Sequence, residues 1–177
     1  MKNILFYITL LFTTTSVFAQ NNSAKEIGIS RQGILFGEFG FTYRQQKADN
    51  KYRRLEVILH HTSIFNPINL SSGFTVKTGV EKRKTLHNDQ WQYTKGWLFG
   101  VGVSNMNRTE FNNQNTYVTP SIGYAFGWQY SISDKFAARI EITPTLSQDI
   151  KLAPHNQATS RGLGLNAPVT ISFCWKK

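Results

Sequence analysis

His60, His61, Ser63 and Cys174 are the residues whose side chains could ligate a metal or act as nucleophiles. Adjacent residues of an extended chain point to opposite faces, so His60 and His61 do not form a joint ligand pair. Cys174 is the single cysteine, which excludes an internal disulfide framework and a cysteine-based zinc cage. His61 and Ser63 are two apart and share a strand face, a spacing that could set an imidazole beside a hydroxyl. No acid of that parity stands nearby, and a triad is defined by geometry, not by spacing. Gly96, Gly100 and Gly102 alternate on one face and are read as packing positions. The sequence has no phosphate-binding loop, no Cys/His metal spacing and no nucleophile elbow. No catalytic, cofactor-binding or metal site is assigned.

The charged residues carry a clearer pattern. Glu38, Arg44, Arg54, Glu56, Lys77, Glu81, Arg83, Arg139 and Glu141 all fall on one parity of alternating segments, opposite bulky apolar residues. From residue 26 onward the dominant period is two, which is the signature of strands. Between Val118 and Tyr130, the residues Ile122, Tyr124, Phe126 and Trp128 alternate with Ser121, Gly123, Ala125 and Gly127. Between Gly164 and Trp175, the residues Val169, Ile171 and Phe173 alternate with Thr170, Ser172 and Cys174. Further segments run through Leu35–Arg44, Arg54–His60, Phe74–Arg83, Gly96–Ser104 and Phe136–Thr145. A short first segment, Glu26–Ser30, makes eight.

The links alternate in length. Lys47–Asn50, His87–Gln90 and Ser133–Lys135 are short, whereas Ser63–Ser72, Asn105–Thr116 and Gln148–Arg161 are long; the first link, near Arg31–Gly33, is short and breaks the rule. The Asn-rich stretch around Asn105–Asn115 reads as an exposed, mobile surface loop. An even number of strands with tight turns at one end and longer loops at the other is the plan of an eight-stranded antiparallel up-and-down transmembrane β-barrel.

Ahead of it, Lys2, the apolar run Ile4–Phe12 and Val17-Phe18-Ala19 read as a signal peptide cleaved after Ala19. Residues 1–19 are therefore a leader and 20–177 the barrel domain, exported with both mature termini in the periplasm. Export argues against nucleic acid as a partner, although the chain has 20 Lys+Arg against 10 Asp+Glu.

A soluble barrel would alternate too, but with its apolar rows inside. An eight-strand lumen has little room for rows of branched and aromatic side chains. The Gly, Ala, Ser and Thr of the charged parity fit it better, so the bulky rows are assigned to lipid and the charged row to the lumen, where mutual pairing is required. Tyr43, Tyr52, Trp91, Tyr93, Trp128, Tyr130, Phe136 and Trp175 lie beside the short turns or the C-terminus and are expected to form one aromatic girdle at the periplasmic interface. Lys47, Lys51, Arg53, Lys82, Lys84, Lys135, Lys176 and Lys177 gather near the same turns, where they either meet anionic lipid or form a solvated rim.

With its leader, its eight alternating segments and the terminal strand Val169-Thr170-Ile171-Ser172-Phe173-Cys174-Trp175, the chain resembles the small outer-membrane β-barrel proteins of the OmpA/OmpX/OmpW-like superfamily. That resemblance covers the mature chain by pattern and implies insertion by the barrel-assembly machinery; Lys176-Lys177 after Trp175 depart from the usual aromatic ending. His61-Thr62-Ser63 resembles the His-x-Ser of lipid A deacylase barrels, but Ile64 stands where that family has Asn. The expected role is non-enzymatic, without a cofactor: a barrel with a side-chain-filled lumen, partnered by outer-membrane lipids and by an unknown extracellular ligand of its outer loops. The alternatives are a narrow porin-like channel for small solutes and a lipid A-modifying hydrolase.

Overall fold

The structure is a computed structural model and describes residues 24–32, 38–61, 69–86, 89–108, 113–152 and 159–177. The leader expected over residues 1–19 lies outside them. Ten β-strands follow one another: β1 (Lys25–Gln32), β2 (Glu38–Ala48), β3 (Lys51–His61), β4 (Asn69–Thr85), β5 (Trp91–Arg108), β6 (Asn113–Ser131), β7 (Phe136–Ile142), β8 (Thr145–Leu152), β9 (Thr159–Asn166) and β10 (Val169–Lys176). All pairings are antiparallel: β1 to β6 pair in sequence order, β6 pairs with both β7 and β8, β8 pairs with β9, β7 pairs with β10, and β10 pairs with β1, so the sheet closes on itself.

The ten strands form eight staves. Along β6 the register runs from Phe126↔Ile142 on β7 to Gly123↔Thr145 on β8 without a slip. Pro144 separates these two halves of one stave, and Pro168 separates β9 from β10 in the next. Each proline lacks the N–H that a ladder needs. Each carbonyl still accepts, from Tyr124 N at 3.0 Å for Pro144 and from Thr143 N at 3.1 Å for Pro168.

Register fixes the size of the cylinder. Paired residues lead from Glu26 through Arg44, Arg54, Gly79, Leu98, Gly123 and Thr145 to Asn166, whereas Glu26 itself pairs with Lys176, a stagger of ten residues. With strands about 4.8 Å apart and about 3.3 Å per residue, that stagger tilts the staves by about 41° and sets a backbone radius of about 8 Å.

One end is tied shut by backbone hydrogen bonds between successive turns. Arg83 N donates to Asn50 O at 2.9 Å, Ser131 N to Gln90 O at 2.8 Å and Lys176 N to Lys135 O at 2.8 Å. Asn50 closes the β2–β3 turn at φ 59°, a left-handed conformation that asparagine tolerates. At the other end the strands run further than the alternation indicated. Asn105–Arg108 pair with Asn113–Thr116, so most of the stretch expected as a surface loop is ladder. Likewise β8 reaches Leu152 and β9 starts at Thr159, inside the link expected over Gln148–Arg161. Polar residues in these ladders hid the strands from a reading based on apolar alternation.

Side-chain facing is uniform around the wall. Phe41, Trp97, Phe99, Ile122, Ile140 and Phe173 are exposed on the outside, while Arg44, Arg54, Glu81, Arg139 and Glu141 are buried inside. Tight curvature brings backbones together at some inward glycines. A Cβ on Gly79 would lie 1.9 Å from the carbonyl oxygen of Trp97 on the next strand. Gly79→Ala should therefore force β4 from β5 and cost about 1–3 kcal/mol or more, read as a loss of the heat-modifiable folded band on gels; unchanged mobility and stability would refute the close approach.

Candidate functional site

Period-two alternation delivers the interior charges from five staves. Glu26 comes from β1, Arg44 from β2, Arg54 and Glu56 from β3, Lys77, Glu81 and Arg83 from β4, and Arg139 and Glu141 from β7. Opposite them, β5 and β6 present Thr94, Gly96, Leu98, Ala125 and Gly127. These small or compact residues leave the space into which long arginines reach.

Glu81 is the hub. Its Oε2 accepts from Arg139 Nη1 at 2.6 Å and from Arg44 Nε at 3.2 Å. Its Oε1 accepts from Arg83 Nε at 2.7 Å and from Arg139 Nη2 at 2.9 Å. Arg83 turns its remaining nitrogens to Glu26, with two bonds of 2.7 Å. Arg54 donates to Glu141 at 2.7 Å and to Glu56 at 3.2 Å. Gln129 Oε1 accepts from both Arg139 Nε and Nη2, at 3.2 and 2.5 Å, and the thiol of Cys174 lies 3.4 Å from Arg44 Nη1. Lys77 stands directly opposite Glu56 in the β3–β4 register. Around Arg54, Glu81, Thr94, Leu98, Ala125 and Glu141 there is no room for the centre of a water molecule.

Glu38 stands apart from this hub, at the far end of the lumen. His60 Nδ1 and Glu38 Oε1 are 2.5 Å apart, and His60 Nε2 lies 2.6 Å from Thr75 Oγ1. In a neutral ring that donates Nδ1–H to Glu38, Nε2 accepts the threonine hydroxyl. Of the His-x-Ser stretch, Thr62 and Ser63 fall outside the described residues.

Glu26, Gln129 and Cys174 join the core although only the nine alternating charges were singled out from the sequence. Glu26 had a signal: it alternates with Ile27 and Ile29 on the first segment. With Glu26 added, these ten residues comprise five acids and five bases.

The outward aromatics pair across strands. Ring centroids lie 4.9 Å apart for Trp91–Tyr130, 6.0 Å for Tyr93–Trp128 and 5.5 Å for Phe136–Trp175. Trp97–Tyr124, at 5.0 Å, extends this surface further along the wall. Tyr43 faces outward between Ile27 and Leu55. Tyr52 does not belong to the girdle. It shares parity with Arg54 and Glu56, and the buried Arg83 guanidinium stacks 3.6 Å from its ring centroid, so it caps the lumen from within. Proximity to a turn suggested the outside; strand parity decides otherwise.

No family model matches the sequence, and no curated protein matches it. Solved structures do match in shape. The N-terminal β-barrel domain of Pseudomonas aeruginosa OprF superposes with a TM-score of 0.59 at 10% identity, over 87% of this chain and 97% of that one. This is the fold of the small outer-membrane β-barrels. Neisserial surface protein A (NspA) matches with a TM-score of 0.54 at 5% identity, over 86% of this chain and 94% of its own. A major outer membrane protein from Thermus thermophilus matches with 0.53 at 6% identity, over 89% and 100%. At such identities the likeness is one of backbone, and the barrel's interior must be judged from its own residues.

Removing one member of a buried ion-pair hub leaves uncompensated charge. Glu81→Gln should destabilise the barrel by about 3–5 kcal/mol in urea titrations of the folded form. A double-mutant cycle with Arg139→Met should give a coupling of about 0.5–3 kcal/mol. Additive effects would show that the two residues do not share a network.

Proposed function

We propose that this barrel is a non-enzymatic integral outer-membrane protein with a closed lumen, serving a structural role or a surface interaction through its outer loops. The observation that carries this reading is the neutral ion-pair core inside a wall whose outer face is apolar. Rings of exposed Ile, Val, Phe and Trp suit hydrocarbon, and the aromatic pairs suit an interface. The core occupies the cross-section that a solute would need. The tied turns, the start of β1 and the end of β10 are assigned to the periplasm, and the longer strand ends to the outside. Assembly machinery would meet the terminal strand β10, and an extracellular ligand would meet the loops that join the long strands.

Glu38, His60 and Thr75 stand in the order acid, imidazole, hydroxyl that nucleophile activation uses. Among the described residues, the strand backbone of His60 and Thr75 is paired in the β3–β4 ladder, and no oxyanion-binding donors are assigned there. This supports a hydrogen-bonded relay that fills the lumen.

Planar bilayers test the closed lumen: wild-type protein should give no steady single-channel steps, and reproducible steps would establish a channel instead. The membrane assignment has its own test. Ile122→Arg places a charge on the outer wall and should reduce stability in vesicles by about 2–4 kcal/mol if the residue sits near the midplane. An unchanged urea midpoint would place that face in water.

A further inference from the structure

The strongest feature outside the lumen is a row of like charges on the outer wall. Lys51, Lys82 and Lys95 stand directly opposite one another across β3, β4 and β5. All three are exposed, and Lys84 and Arg53 flank them on the same face. No ion pair among the described residues involves Lys51, Lys82, Lys84 or Lys95. Directly opposed like charges on adjacent strands repel, so this arrangement is unfavourable by itself.

What lies along the same wall is equally specific. The next outward row is Arg53, Val80 and Trp97; beyond it come Leu55, Thr78 and Phe99, then Val57, Val76 and Val101. On the other side of the lysine row, Lys84 pairs with Tyr93, which meets Trp128 edge to face. Cations thus sit at the foot of an apolar strip that runs up the barrel, beside the aromatic girdle.

We infer that this face binds an anionic phospholipid, with its phosphate on the Lys51–Lys82–Lys95 row and an acyl chain along Trp97, Phe99 and Val101. A phosphate set between the lysines removes their mutual repulsion. The continuous apolar strip selects a lipid over a soluble anion, which would leave Trp97, Phe99 and Val101 uncovered. The position matches the leaflet nearest the tied turns. The inference deepens the membrane assignment above and rests on it.

Native mass spectrometry of the full chain released from micelles, titrated with phosphatidylglycerol or phosphatidylcholine, tests the site. Wild type should retain phosphatidylglycerol in preference to phosphatidylcholine. The triple variant K51Q/K82Q/K95Q should bind phosphatidylglycerol about a hundredfold more weakly, at about fivefold per lysine. A control triple, K135Q/K176Q/K177Q, removes the same charge elsewhere and should keep the wild-type preference. Heat-modifiable mobility verifies that each variant is folded, and Lys82→Gln alone, at the centre of the row, serves if the triple is not. Equal retention by wild type and the row variants would overturn the site, as would an equal loss in the control triple. Insertion into vesicles of either lipid separates the two levels. A barrel that inserts but shows no lipid preference refutes this site alone, whereas failure to insert refutes the membrane assignment as well.

Discussion

A neutral cluster of four arginines and four glutamates, closed off from water, is the constraint on which the rest of the barrel depends. Ionised groups of this kind are costly to bury, and only mutual pairing with well-formed hydrogen bonds offsets that cost. Glu81 satisfies the condition for three arginines at once, and Arg54 is shared between Glu141 and Glu56. A cylinder about 8 Å in radius has little cross-section to spare. Long side chains can therefore converge only if the facing strands recede. Thr94, Gly96, Ala125 and Gly127 keep the inner side of β5 and β6 free of long side chains, and the charges come from β1 to β4 and β7.

Such a core specifies more than it stabilises. Well-packed apolar residues of similar volume would be about as stable as buried ion pairs, but a bidentate arginine accepts few alternative geometries. Arg139 reads Glu81 and Gln129 together, and Arg83 reads Glu26 and Glu81 together. A slip of one residue in any of β1, β4, β6 or β7 would turn one of these partners to the outer face. The network thus pins the register of staves that are far apart in sequence.

Much of this was legible in the sequence, and the physical reason is the strict period of two. Alternation gave the strand count, the facing of Ile122 and Trp128, and the parity of Arg44, Arg54, Glu81 and Arg139. It lost its force where apolar residues stop alternating. Asn105–Arg108 and Asn113–Thr116 form a ladder of residues that are all polar but Met106, so no apolar alternation distinguished them from a loop. Tyr52 lies beside a turn as the girdle residues do, and only its parity with Arg54 and Glu56 distinguishes it from them. The contacts of His60 with Glu38 and Thr75 join three strands, and no local pattern contains that information.

The basic balance of the chain acquires a different meaning once the two faces are separated. The four arginines and four glutamates of the ion-pair cluster cancel, so the formal charge of +10 resides in the remaining residues. Neighbours in sequence divide the work: Arg54 is paired inside while Arg53 is exposed, and Arg83 is bonded to Glu26 while Lys82 stands in the outer row. Inside, low polarisability forces each arginine onto a carboxylate. Outside, no carboxylate pairs with Lys51, Lys82 or Lys95 among the described residues, which leaves their charge open to the surroundings. The basic excess behind a pI near 9.9 thus includes the outer lysine row, a surface that suits an anionic lipid.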